Sequence, residues 1–230
     1  MIITGATKGI GREIAAIFAC HSFPLSICSR NMNDLKESAK WLKEKGAPLV
    51  HFTKTDLTEK KEVLAYGKEI LKLNCRIAGL INNAGVYVRD DSKNNSVDNL
   101  EFLIRTNLLS AFYLTNKLLP VFKKQKAGHI INISSVAGLK SFPQGMSYGI
   151  SKFALRGMGL GLREELKKYS VKVSTIYPGA TFTDSWKGTK VPVSQFMPAE
   201  EVAQVVWNCF NTSPRTVIEE VVMRPMGGDF

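Results

Sequence analysis

Two periodicities alternate along this chain, and that alternation limits the fold more than any other feature. Short apolar runs of strand character at 2–4, 24–28, 49–53, 77–81, 129–134, 171–177 and 216–223 are separated by longer stretches whose apolar residues return every three or four positions. Ile10, Ile14, Ile17 and Phe18 form one such stripe. Leu35, Ala39 and Leu42, stopped by Gly46, form the next, and Leu100, Leu103, Ile104 and Leu108 a third. Strands separated by helices need right-handed crossovers, which give a parallel sheet covered on both faces. The expectation is one α/β domain over 1–230, a doubly wound sheet of about seven strands with the substrate site built from its C-terminal part. No linker, repeat or low-complexity tract divides the chain.

Composition narrows the function classes. Apolar content of 44% and charged content of 22% are those of a globular protein. The richest apolar window, "NLLSAFYLTNKLLPVF", is cut by Thr115, Asn116 and Lys117, so no membrane span is expected. "MIITGATKGIG" lacks the basic-then-apolar pattern of a secretory signal. Cys20, Cys28, Cys75 and Cys209 show no C-x-x-C spacing and read as small buried hydrophobes in a reducing compartment; His21, His51 and His129 are scattered singly. A cytoplasmic protein without a metal is the expectation. The net charge of +11 is spread along the chain rather than gathered in a stripe, which argues against nucleic acid; an anionic cofactor or an acidic partner protein would use the same field.

In a parallel sheet of this kind ligands bind beyond the carboxyl ends of the strands. After the first run comes "TGATKGIG", where Gly5, Gly9 and Gly11 open a helix and let a diphosphate approach its N-terminus. After the second, Ser29 and Arg30 stand where an NAD-type site would carry an acid; a cation with a hydroxyl suits a 2'-phosphate, and Lys8 adds charge on the same side. Asp56 and the Leu57 backbone could hold an adenine, with an N-cap as the alternative role for Asp56. "INNAG" offers Asn82, Asn83, Ala84 and Gly85 as a strand end along which a ribose could lie. Ser134 and Ser135 tip the fifth run, and Pro178 and Gly179 turn the chain after the sixth, with Thr181 or Thr183 in reach of a carboxamide. Tyr148 and Lys152, four apart in "SYGISKFAL", fall on one helical face, where an ammonium would favour a phenolate.

Taken together, T-G-x-x-x-G-x-G (Thr4 to Gly11), N-N-A-G (Asn82 to Gly85), the helix asparagine Asn107, Ser135 thirteen residues before Y-x-x-x-K (Tyr148, Lys152) and P-G (Pro178, Gly179) resemble the short-chain dehydrogenase/reductase family over the whole chain. The chain departs from that pattern in having three residues before Thr4 and a short segment over 184–198. The resemblance implies hydride exchange with a carbonyl carbon while Tyr148 gives or takes the proton. Lys152 would lower the phenol pKa and hold the nicotinamide ribose, Ser135 would orient the carbonyl, and Asn107 would anchor a water. It extends the cofactor site to Thr7 and Ile10, and with Arg30 it implies NADP(H) in preference to NAD(H).

Gly157, Gly159 and Gly161 weaken the helix after Tyr148 by up to about 1 kcal/mol each. In this family that helix packs on a second subunit, so a homodimer or homotetramer is expected. The tail "TVIEEVVMRPMGGDF" resembles that of bacterial sepiapterin-reductase-like members, making Asp229 a candidate partner for a pterin, with Phe182 and Trp186 as covers for a flat ring. A 3-oxoacyl carrier-protein reductase, a broad carbonyl reductase and, outside enzymes, a dinucleotide-binding regulator are the alternatives.

Overall fold

The apolar runs pair in parallel, as the crossovers require. The computed structural model describes residues 1–90 and 96–228. Its strands are β1 (Ile2–Thr4), β2 (Leu25–Ser29), β3 (Val50–Lys54), β4 (Gly79–Asn82), β5 (His129–Ile133), β6 (Lys172–Pro178) and β7 (Glu220–Met223), all in one sheet of order β3-β2-β1-β4-β5-β6-β7. Order reverses between β1 and β4, the place where such sheets open a crevice. The helices are α1 (Gly9–Cys20), α2 (Met32–Glu44), α3 (Lys60–Lys72), α4 (Ser96–Ile104), α5 (Ser110–Gln125), α6 (Met146–Leu166) and α7 (Ala199–Phe210).

Both faces of the sheet are covered. Ile14 and Phe18 of α1, Leu35 and Leu42 of α2 and Val206 of α7 share one core with Ile3, Ile27 and Ile176 of the strands. Val63 and Tyr66 of α3, Leu114 and Phe122 of α5 and Leu166 of α6 fill the other with Leu80 and Ile130. Each buried Leu, Ile or Phe contributes about 1.5–3 kcal/mol, which makes the two apolar stripes the main source of cohesion.

Four expectations change. The fourth strand begins at Gly79 rather than 77: the Gln125 side chain takes both backbone groups of Ile77 (2.9 and 3.0 Å), while the Ala78 carbonyl accepts from the His129 N–H of β5 (3.2 Å). The last strand begins at Glu220 rather than 216. The stripe from Leu100 to Leu108 is not a regular α-helix, since a π-turn over Arg105–Leu109 inserts between α4 and α5 and re-aims Asn107. Finally, only Cys28 and Cys209 are buried; Cys20, at the end of α1, and Cys75, in the loop after α3, face solvent. Among the described residues no helix is long and apolar enough to cross a membrane, and no group of histidine, cysteine or acidic side chains is placed to hold a metal.

Candidate active site

The carboxyl ends of the strands open into one cleft of about 420 Å³, running from the glycine turn after β1 to Trp186. The turn is bare for a steric reason. Gly5 and Gly9 sit at φ of 65° and 52°, and a Cβ on Gly11 would come within 2.3 Å of the Gly5 carbonyl. Thr4 and Asn83 staple it: the Thr4 hydroxyl accepts from the backbone N–H of Asn83 and Ala84 (3.1 and 3.0 Å), and the Asn83 amide donates to the Thr4 and Gly5 carbonyls (2.9 and 3.1 Å). The first turn of α1 has no side-chain cap and no acidic residue, so its N–H groups and the helix dipole fit an anionic diphosphate.

Gly5, Lys8, Gly9, Ile10, Gly11, Ser29, Arg30, Asp56, Leu57, Asn83, Ala84, Gly85, Pro178, Gly179, Thr181 and Thr183 all line this cleft, and Thr7 of the same turn does not. Arg30 is exposed in the wall, and Lys8 lies between Asp34 (3.7 Å) and Asp184 (3.9 Å). Asp56 is not the N-cap of α3, a place that Glu59 takes; its Oδ1 instead accepts from the N–H and hydroxyl of Thr58 (2.9 and 2.8 Å), within the turn before the helix. Asn82 is buried beneath the strand end, donating to Thr115 (3.0 Å) and Asn132 (2.9 Å), so Asn83 and not Asn82 faces the cleft.

Opposite the turn, α6 and the tip of β5 bring Ser135, Tyr148 and Lys152 together. Lys152 is buried, donates from Nζ to the Ile133 carbonyl (3.0 Å) and stands 5.7 Å from the centroid of the Tyr148 ring. Burial pushes this ammonium down to about 8. The expected lowering of the phenol does not follow. Burial pushes Tyr148 up to about 12, a hydrogen bond with Ser135 pulls it back, and the neighbouring Tyr87 raises it further. Lost hydration of the phenolate outweighs the stabilising groups. A methyl on Gly85 would lie 3.2 Å from Lys152 Nζ and 3.4 Å from Asn107 Oδ1, which accounts for a glycine there.

Asn107 projects from the π-turn with its amide largely committed. Oδ1 accepts from Val86 N–H (2.8 Å), and Nδ2 donates to the Val86 carbonyl (3.0 Å) and to Ser151 Oγ (3.0 Å). A water at this side chain is left one lone pair of Oδ1; the main observed work of the residue is to tie the loop after β4 to α6. Tyr87 of that loop meets Tyr148 edge-on at 5.2 Å and lines the cleft with Phe102. No motif marks either residue, although Tyr87 lies two positions beyond Gly85, at a strand end where ligands of such sheets bind.

Trp186 lines the far end of the cleft and packs on Phe196 at 4.9 Å. Phe182 also packs on Phe196, at 5.6 Å, and is not among the lining residues. Asp229 lies outside the described residues. The helix glycines divide: a Cβ on Gly159 would meet Thr175 Oγ1 at 2.5 Å, so the close approach there is to the chain's own sheet, whereas Gly157 and Gly161 face open space.

Comparison with known proteins agrees with this geometry. The chain is 32% identical to the sepiapterin reductase of Chlorobaculum tepidum, covering 100% of this chain and 97% of that protein. Among solved structures it superposes on a metagenomic short-chain oxidoreductase in complex with NADP (27% identity, TM-score 0.84, 98% and 96% of the two chains). It does so equally on the closed form of a serine dehydrogenase complexed with NADP+ (26%, TM-score 0.86, 100% and 96%). The sequence model of the short chain dehydrogenases matches residues 1–191, and with a full-length relative above 30% identity the chain belongs to the short-chain dehydrogenase/reductase family of oxidoreductases.

Proposed function

We propose that this protein is a cytoplasmic NADPH-dependent reductase that converts a ketone to a secondary alcohol, with a pteridine or dicarbonyl compound as the preferred substrate class. The observation that carries the reading is the convergence of Ser135, Tyr148 and Lys152 on a cleft that begins at a bare glycine turn. The glycine turn would hold the diphosphate, Ser29 and Arg30 the 2'-phosphate, Leu57 with Asp56 the adenine, Asn83 to Gly85 and Lys152 the ribose beside the nicotinamide, and Pro178 to Thr183 the carboxamide. When bound, the nicotinamide supplies the hydride.

The chain's own part is the proton. A phenol near 12 is neutral at pH 7, so Tyr148 holds the proton that the carbonyl oxygen requires. Ser135 would orient that oxygen, and the Lys152 ammonium would stabilise the phenolate left behind. NADPH rather than NADH is supported by Arg30 in the cleft wall and by the NADP-bound relatives. The pteridine class is supported by the likeness to a sepiapterin reductase. The four free cysteines accord with a reducing compartment.

NADPH consumption across sepiapterin, a diketone and a 3-oxoacyl thioester tests the reading. Turnover fastest with sepiapterin or the diketone is expected; preference for the thioester would move the assignment to a carrier-protein reductase, and no turnover with any carbonyl would favour a regulator. Arg30→Ala should raise the KM for NADPH by about tenfold or more through loss of a charge-assisted contact while leaving that for NADH unchanged. Met146, Ile150, Phe153 and Leu160 stand exposed along α6 beside Gly157 and Gly161, and we assign that stripe to contact with a second copy. A monomeric mass in solution would refute the contact.

A further inference from the structure

The first turn of α6 carries Tyr148, yet nothing within the helix caps it. Its N-cap is Gly145, which has no side chain, and its first turn has no acidic residue. The missing acceptor comes from 57 residues away: Asp90 Oδ2, on the loop after β4, accepts the Ser147 N–H at 2.8 Å. Ser147 immediately precedes Tyr148. The other carboxyl oxygen is shut away from solvent, so the group is lodged against the helix end rather than dangling over it.

The same loop fixes the turn that leads into the helix. Asp90 N–H donates to the Gln144 carbonyl (2.9 Å), and the Arg89 guanidinium donates to Gln144 Oε1 through Nε (2.6 Å) and through Nη2. Gln144 needs this help, because its φ of 56° is one that residues other than glycine rarely adopt. Upstream, Asn107 holds the loop at Val86, and Tyr87 meets the Tyr148 ring edge-on. The loop therefore touches the catalytic helix at the residue before Tyr148 and at the Tyr148 ring itself.

We propose that Asp90 is a positioning residue for proton transfer: by capping the first turn of α6 it sets the place of the Tyr148 phenol relative to the substrate carbonyl. This rests on the reading of Tyr148 as the acid. Asp90 does not line the cleft, so it acts through the helix and not on the substrate. A displacement of about 1 Å at a reacting group costs up to about a hundredfold in rate, which makes a cap at this site a kinetic determinant as well as a stabilising one.

The test measures carbonyl reduction and NADPH binding for Asp90→Ala, Asp90→Asn, Tyr148→Phe and the double variant Tyr148→Phe/Asp90→Ala. Asp90→Ala is expected to lower kcat by about tenfold with NADPH affinity within about twofold. Asp90→Asn keeps an acceptor for the Ser147 N–H and should recover most of the loss. In the Tyr148→Phe background, Asp90→Ala should lower kcat little further, because there is no phenol left to place. A kcat for Asp90→Ala within about twofold of the parent, or an equal fall in both backgrounds, overturns the proposal. If the alanine variant does not fold, Asp90→Ser, whose hydroxyl is too short to reach the turn, replaces it with the same expected loss. Near-normal turnover by Tyr148→Phe would instead show that the reading of Tyr148 itself fails.

Discussion

The two ends of the cleft are held in different ways. From Gly5 across Asn83 and Asn107 to Lys152, the wall is a lattice of hydrogen bonds among partly or wholly buried groups. At the other end the lining residues Thr181 and Thr183 to Trp186 are backed by two short 3₁₀ turns, a trio of aromatic rings and ion pairs of Asp184 with Lys8 and Lys187 that stand in solvent. Buried polar networks keep one geometry because leaving any member unpaired is costly, whereas exposed ion pairs are worth little and aromatic packing tolerates exchange. The first wall suits a proton transfer whose geometry cannot vary; the second suits a contact that selects among substrates.

Replacing single groups on each wall should break this contrast in opposite ways. The largest effect belongs to Tyr148→Phe, which is expected to retain NADPH binding and lose at least about a hundredfold in kcat. Next is Lys152. Folding lowers its pKa from 10.5 to about 8, so below pH 8 both folded and unfolded chains hold the proton and the burial penalty is present in full. Between pH 8 and 10.5 only the unfolded chain stays charged, and the penalty fades. Lys152→Met should therefore stabilise the ligand-free protein at pH 7 by about 1–3 kcal/mol, in denaturant unfolding, with the gain shrinking as pH rises through that window. A gain that grew with pH would reverse the assignment. Smallest is Trp186→Ala on the second wall: a rise of severalfold in KM for a flat carbonyl, with kcat within about twofold.

The same contrast explains what could be read from the sequence. The glycine turn, Ser135, Tyr148 and Lys152 were legible because each sits at a strand end or at a fixed helical spacing, and backbone geometry alone places them. The identity of Asn83 over Asn82 as the cleft-facing residue was not, since it depends on which side of β4 each amide faces at the strand's last step. Nor was the π-turn at Asn107, where the apolar stripe of Leu100 to Leu108 continues unbroken through a change in winding. The spacing of Tyr148 and Lys152 reports a nearby cation but not the hydration that the phenol loses on burial. Phe182 and Trp186 look alike in sequence and both pack on Phe196, yet only Trp186 of the two lines the cleft, a difference in placement that the spacing does not carry.

If the walls act separately, their perturbations must multiply. The kcat/KM of the double variant Tyr148→Phe/Trp186→Ala, measured against both single variants with one flat carbonyl substrate, tests this directly. The account predicts additive losses on a free-energy scale, within about 0.5 kcal/mol. A double variant no slower than Tyr148→Phe alone would show that Trp186 works through the phenol, and that the cleft has one wall rather than two.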